Sequence, residues 1–292
     1  MSECIITGKD KVVCKILAGN ERFILKMPAD HRARTGEANN WRMLDVLSRR
    51  SATVGIVPQR IAHGEYQAVD YFLERAVAGQ PITMAMHAIT RASAASKVAA
   101  LLTKIHAPVP LLASIAGGSQ PYGELLGLPV AKLRELGLEP SGYEKLERYL
   151  AGKLATRQWP IGLYHGDFTN DNIFISRDEI SGVIDWEYAS ERGIPLLDAL
   201  SYVESMERLC GSGMNATQNF IRLAAWDWPS EAEIDSLQSL YRRFRVDVEC
   251  HETLCQLCWL QHVSNQLDTT ARFDPEFMQK HIRPMLASLS AS

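Results

Sequence analysis

No stretch of about 18 apolar residues runs uninterrupted by charge, and the first ten residues carry no apolar segment of the kind that directs secretion. The expected address is the cytoplasm, with no membrane partner. Basic residues form no run: 31 Lys plus Arg are scattered among 34 Asp plus Glu, giving a net charge of -3, so no nucleic-acid partner is expected. Cysteine is sparse and irregularly spaced, six in 292 residues, which argues against a disulfide framework. The glycines within residues 113–123 lack the GxxxxGK[ST] pattern of a phosphate-cradling loop, so that stretch reads as a flexible loop without chemistry. Internal repeats and low-complexity tracts are also missing. What remains is an ordinary globular composition, 46% hydrophobic, sufficient for one large domain or two unequal lobes.

The first part of the chain reads as strands. Residues 12–17 are apolar and β-branched, residues 18–21 supply turn chemistry, and residues 22–27 resume as a second strand, which makes a β-hairpin. Alternation puts Phe23, Leu25 and Met27 on one face, with Ile24 and Lys26 on the other. Thr35 is expected to cap a helix whose buried face runs through Trp41, Leu44 and Leu47, with Glu37 in its first turn. Residues 68–73 read as another strand, and Gly79 with Pro81 marks a loop. This organisation predicts an N-terminal lobe over residues 1–78 and a larger C-terminal lobe over residues 79–292.

The C-terminal part is mainly helical. Val98, Leu101, Leu102 and Ile105 share a face in a helix stopped by Pro108 and Pro110. Residues 173–175 and 180–184 interrupt the pattern as a short hairpin around a polar turn at 176–179. Helices return from about residue 195, including a long amphipathic stretch near 246–267. The fold class is therefore α+β.

The chemistry concentrates around that hairpin. Asn172 immediately precedes its first strand and Asp185 immediately follows its second, so antiparallel pairing brings both to the open end. Neighbouring strands lie about 4.8 Å apart. An amide oxygen and a carboxylate can then reach one hard cation such as Mg2+, with phosphate oxygens completing its shell. Asp167, five residues before Asn172, can accept the proton of an attacking hydroxyl and hold it in line with phosphorus. Any one of these acids alone would most simply cap a turn. The spaced set of three has a low rate of chance occurrence.

His165-Gly166-Asp167-Phe168-Thr169-Asn170-Asp171-Asn172 and Ile184-Asp185-Trp186 resemble the catalytic loop and metal-binding motif of the aminoglycoside phosphotransferase and choline kinase-like family, whose fold is that of protein kinases. The resemblance extends over nearly the whole chain. It implies a small antiparallel-sheet lobe with one helix, followed by a larger mainly helical lobe. It also implies a kinase that transfers a phosphoryl group from ATP or GTP, with Mg2+, to a hydroxyl of a small molecule. In that resemblance Asp167 is the catalytic base, and Asn172 and Asp185 hold the metal. Lys26 binds the α and β phosphates while Glu37 orients it. His165 shapes the catalytic loop and Asp198 braces it. Residues 74–77, including Glu74 and Ala76, form the hinge where a nucleotide base would bond main-chain groups.

The sequence departs from protein kinases in two places. The first loop, residues 7–11, has a single glycine, Gly8, and Asp185 is followed by Asp198 only 13 positions later, with Trp186-Glu187 in place of Phe-Gly. The short connection favours a small acceptor: a sugar, an amino alcohol, an aminoglycoside or a related metabolite. A kinase-shaped nucleotide-binding regulator without transfer is the alternative, although binding alone does not require Asp167. His251, Cys255, Cys258 and His262 form a helical stripe. Its outer members lie roughly 16 Å apart at helical rise, too far for one tetrahedral ion, so buried thiols and packed imidazoles are expected. Trp186, Trp226, Trp228 and Trp259 are expected mainly as packing, although with Glu187, Glu191, Glu204 and Asp227 they offer the makings of a cavity for a cation.

Overall fold

A computed structural model describes residues 2–7, 10–86, 89–136, 140–211, 213–269 and 275–291. Gly8 and Lys9, the centre of the lean first loop, lie outside them. The fold is α+β, with an N-terminal antiparallel sheet and a helical C-terminal part. The chain divides into two compact units, residues 1–88 with 171–189, and residues 89–170 with 190–292.

The first unit holds a five-stranded antiparallel sheet in the order β1-β2-β3-β5-β4. Its strands are β1 (Ser2–Thr7), β2 (Lys11–Ala18), β3 (Glu21–Pro28), β4 (Gln59–Tyr66) and β5 (Val69–Arg75). The expected hairpin is β2–β3, turned at Gly19 with φ +61°, a conformation that glycine adopts without cost. Its register pairs Lys11 with Pro28 and Val13 with Lys26. The helix α1 (His31–Ser48) starts four residues before the expected cap: the Asp30 side chain accepts the Ala33 N–H at 2.8 Å. Thr35 instead lies inside the helix and donates its hydroxyl to the His31 carbonyl at 2.9 Å. Met43, Leu44 and Leu47 bury the apolar face of α1, and Glu37 and Asn40 are fully buried on it too.

The same unit contains the second hairpin, Ile173–Ser176 with Glu179–Val183, flanked by Gln80–Pro81. Its two-residue turn is Arg177-Asp178, both at positive φ (52° and 63°), the primed geometry that matches strand twist. Gly79, at φ +87°, packs where a Cβ would overlap the Ile175 carbonyl, so the chain entering this sheet requires glycine.

The second unit is built on the helices Arg91–Ile105, Leu196–Leu209, Ala216–Ala224, Glu231–Phe244 and His251–Thr269, with a small sheet of Leu111–Ser114, Gln158–Tyr164 and Ser190–Gly193. Part of the stretch expected as a loop, residues 113–123, thus joins a strand, and Ser119 caps the short helix Gln120–Tyr122. The expected amphipathic helix begins only at His251, and it is buried nearly all round: Leu254, Cys255, Leu257, Trp259, Leu260 and Val263 are inaccessible to solvent. It is the central helix of this core. No helix among the described residues is long and apolar enough to cross a membrane.

Candidate active site

Five segments of the first unit converge on one charged cluster. Lys26 is the side chain that β3 turns toward α1, and it is almost fully buried. Its Nζ lies 3.5 Å from Glu37 Oε2, 3.5 Å from Glu74 Oε1 and 3.4 Å from Asp185 Oδ1. The expected lysine and helical glutamate therefore meet, together with the carboxylate that follows the hairpin. Burial alone would strip the proton from Lys26, yet Glu74, Glu37 and Asp185 outweigh it and hold the ammonium well above its ordinary range.

The hairpin places Asn172 and Asp185 as its pairing predicts. Ile173 pairs with Val183, and the Ile184 N–H donates to the Asn172 carbonyl at 3.0 Å, so the two residues flank the open end. Asp185 adopts φ +63°, a left-handed conformation uncommon outside glycine but accessible to Asp. Such a conformation re-aims the side chain as the strand ends.

Three further residues complete the cluster. Asn40 donates to Glu74 Oε1 at 2.5 Å and Glu37 Oε2 at 3.3 Å, while its own oxygen accepts the Trp186 N–H at 3.0 Å. Lys11, at the start of β2, sits 3.1 Å from Glu37 Oε1, 3.0 Å from Glu187 Oε2 and 3.7 Å from Asp185 Oδ1. Glu187 follows Asp185 by two residues, and Gly36 makes room for it: a Cβ there would stand 3.0 Å from Glu187 Oε2. Burial, then the Asp185 charge, push the Glu187 carboxyl up to about 7 against the pull of Lys11. Burial likewise raises Glu74 against Lys26. Asn40 and Lys11 are not singled out by motif. The usable signal for Lys11 is strand parity: Lys11 and Val13 point the same way, and Val13 pairs with Lys26.

This donor set suits a hard cation. Glu37, Asp185 and Glu187 each bring a carboxylate oxygen within 4.8 Å of the others. His251, Cys255, Cys258 and His262 do not form a comparable group. His251 bonds the Tyr241 hydroxyl at 2.9 Å and the Leu223 carbonyl at 2.8 Å, Cys258 Sγ meets the Leu197 carbonyl at 3.3 Å, and His262 meets Gln266 at 2.9 Å. The tryptophans pack likewise. Trp226 stacks on His251 at 3.7 Å, Trp228 donates to the Asn219 carbonyl at 3.2 Å, and Trp259 donates to Thr217 at 3.0 Å. Glu204 and Asp227 are committed to Arg208 and Arg222, and Glu187 belongs to the lysine cluster.

In the segment expected as a hinge, Glu74 points its side chain into the cluster. The Ala76 N–H donates to the Arg22 carbonyl at 2.9 Å. In the second unit, Asp198 accepts the His165 N–H at 2.9 Å and the Gly166 N–H at 3.2 Å, one on each oxygen. His165 Nδ1 accepts the Asp167 N–H at 3.2 Å, and Asn265 donates to the Gly166 carbonyl at 2.9 Å. The main chain from His165 to Asp167 is thus fastened by side chains. Burial pushes Asp198 up to about 8, with the Asp167 charge adding to the rise and the two backbone donors opposing it.

A buried lysine on a sheet, a helix glutamate and an acid that follows a hairpin thus meet within one compact unit. Residues 8–234 match the phosphotransferase enzyme family, and the chain belongs to it. No curated protein matches the chain. Among solved structures, the fold is similar to a thermostable mutant of aminoglycoside phosphotransferase APH(4)-Ia in its apo form, 13% identical, with TM-score 0.64 over 100% of this chain and 96% of that one. It is similar too to ADP-bound aminoglycoside phosphotransferase APH(2'')-Ib, 14% identical, with TM-score 0.62 over 98% and 92% of the chains. A third is the streptomycin–ATP–APH(2'')-IIa ternary complex, 13% identical, with TM-score 0.57 over 100% and 90%.

Proposed function

We propose that this phosphotransferase moves the γ-phosphoryl group of ATP or GTP onto a hydroxyl of a small molecule. The observation that carries the reading is the convergence of Lys26, Glu37 and Asp185, drawn from three separate segments, within 3.5 Å of one ammonium. Glu37 holds Lys26 extended, so that its charge is available to the α and β phosphates. Asn172 and Asp185 would hold Mg2+ between them, and a bound Mg2+ would neutralise charge on the phosphate oxygens. Asp167, in the loop fastened by Asp198, accepts the acceptor's hydroxyl proton and aims its oxygen at phosphorus. The adenine or guanine edge bonds main chain at residues 74–77.

The acceptor is a sugar, an amino alcohol, an aminoglycoside or a related metabolite. A transfer assay over a library of such compounds, with ATP or GTP and Mg2+ and products read by mass, tests this. One product heavier by a single phosphoryl group supports it. Thermal shift gives the parallel binding test: a nucleotide at 100 times its dissociation constant adds about 2.7 kcal/mol. No shift with either nucleotide and no phosphorylated product would sink the reading.

A further inference from the structure

Lys11 carries no role in the function proposed above, yet it is built into the same cluster as Lys26. The β2–β3 register explains why. Lys11 and Val13 point to one face of β2, Val13 pairs with Lys26, and the two lysines are therefore diagonal neighbours on one face of the sheet. Their ammonium groups flank the same atom: Asp185 Oδ1 is 3.7 Å from Lys11 Nζ and 3.4 Å from Lys26 Nζ. They also divide Glu37 between them, Oε1 to Lys11 and Oε2 to Lys26.

The two lysines differ in how accessible their partners are. Lys26 is enclosed by Glu37, Glu74 and Asp185, of which Glu37 and Glu74 are buried at 0% and 3% side-chain exposure. Lys11 shares Glu37 and Asp185 with it, but where Lys26 has the buried Glu74, Lys11 has the more accessible Glu187, at 19%. Among the described residues, Lys11 and Lys26 share the carboxylates of Glu37, Glu74, Asp185 and Glu187. A divalent cation arriving with a triphosphate would be drawn to the oxygens that Lys11 now contacts. Lys11 has a flexible four-carbon stem, and the nearest new anions would be the phosphates.

We infer that Lys11 is a second phosphate-binding residue, which leaves Glu187 and Asp185 and binds the nucleotide's phosphates when the nucleotide enters with its cation. The inference rests on the kinase reading above. It predicts that the contribution of Lys11 grows with the number of phosphates and is absent for the nucleoside.

Calorimetric titration of the full chain with adenosine, ADP and ATP, each with Mg2+, tests it alongside kcat and KM, with the guanosine series substituted if GTP is the nucleotide bound. For Lys11→Met, the dissociation constant for ATP should rise about 10- to 100-fold, the size of a charged hydrogen bond. Adenosine should bind within two-fold of wild type, and Lys11→Arg should recover part of the ATP affinity. Should Lys11→Met fail to fold for want of a partner to Glu187, Lys11→Met with Glu187→Gln removes one charge of each sign and must show the same phosphate-dependent loss. Equal losses for adenosine and ATP would make Lys11 a structural prop and overturn the inference, as would unchanged ATP affinity. Wild type that binds neither ATP nor GTP overturns the kinase reading and this inference together. Wild type that binds one of them, beside an unaffected variant, overturns this inference alone.

Discussion

Lys26 and Asp185, 159 positions apart in the chain, meet at 3.4 Å within one compact unit. The contact ties a strand of the sheet to the end of the hairpin whose other strand begins after Asn172. Lys26→Met removes the ammonium from among three carboxylates, leaving buried charge unpaired. It is expected to cost roughly 3 kcal/mol or more of stability and to lower kcat/KM on the order of 100-fold. Adding Glu74→Gln relieves the excess negative charge, so the double variant should regain part of its urea midpoint and none of its turnover. Turnover that returned with stability would show that Lys26 only holds the fold.

Asp167 is tested by a change that keeps its shape. Asp167→Asn cannot take up a proton, but its main-chain bonds to His165 and Thr169 are unaffected. Turnover should disappear while nucleotide affinity stays within a few-fold. A variant that still transfers phosphate at the wild-type rate removes Asp167 from the role of base.

Asp198 supports the loop through two N–H groups, one buried and one half-buried, one on each oxygen. Asp198→Ala leaves both donors without an acceptor and should cost about 2–4 kcal/mol. Asp198→Asn keeps one acceptor oxygen and should cost clearly less. Urea unfolding of the two variants, beside kcat, separates the cases: equal loss in both would mean that packing rather than the hydrogen bonds sets the cost.

Much of this architecture was legible because short-range chemistry wrote it. The β2–β3 hairpin, the Arg177-Asp178 turn and the placement of Asn172 and Asp185 at the second hairpin's open end all follow from alternation and turn residues close together in sequence. Helix starts were less legible. Asp30 displaced Thr35 as cap because an acid with a free run of N–H groups ahead of it competes well with a hydroxyl that bonds back to His31. Lys11, Asn40 and the lysine-facing role of Glu187 were hidden because their meaning depends on partners 26 to 176 residues away. The amphipathic reading of the 251–269 helix failed for a related reason. Its polar residues, such as His251, Gln256 and Gln261, are buried, and a sequence does not show which polar groups will find internal partners.

His251 gives the fold a defined response to acid. Burial holds its imidazole down to about 4 against the opposing pull of its bond to the Leu223 carbonyl. With Nε2–H given to Leu223, Nδ1 accepts from the Tyr241 hydroxyl, and both bonds fit the neutral ring. In the unfolded chain the ring titrates near 6.5, so between about 4 and 6.5 the unfolded state binds more protons than the folded one. The stabilisation is therefore complete above pH 6.5 and is lost as the pH falls toward 4, by up to ~3 kcal/mol. Urea midpoints at pH 7.5 and pH 5 should differ less for His251→Gln, which keeps a donor for Leu223 but cannot titrate. An unchanged difference between the two pH values in that variant would assign the acid sensitivity to other groups.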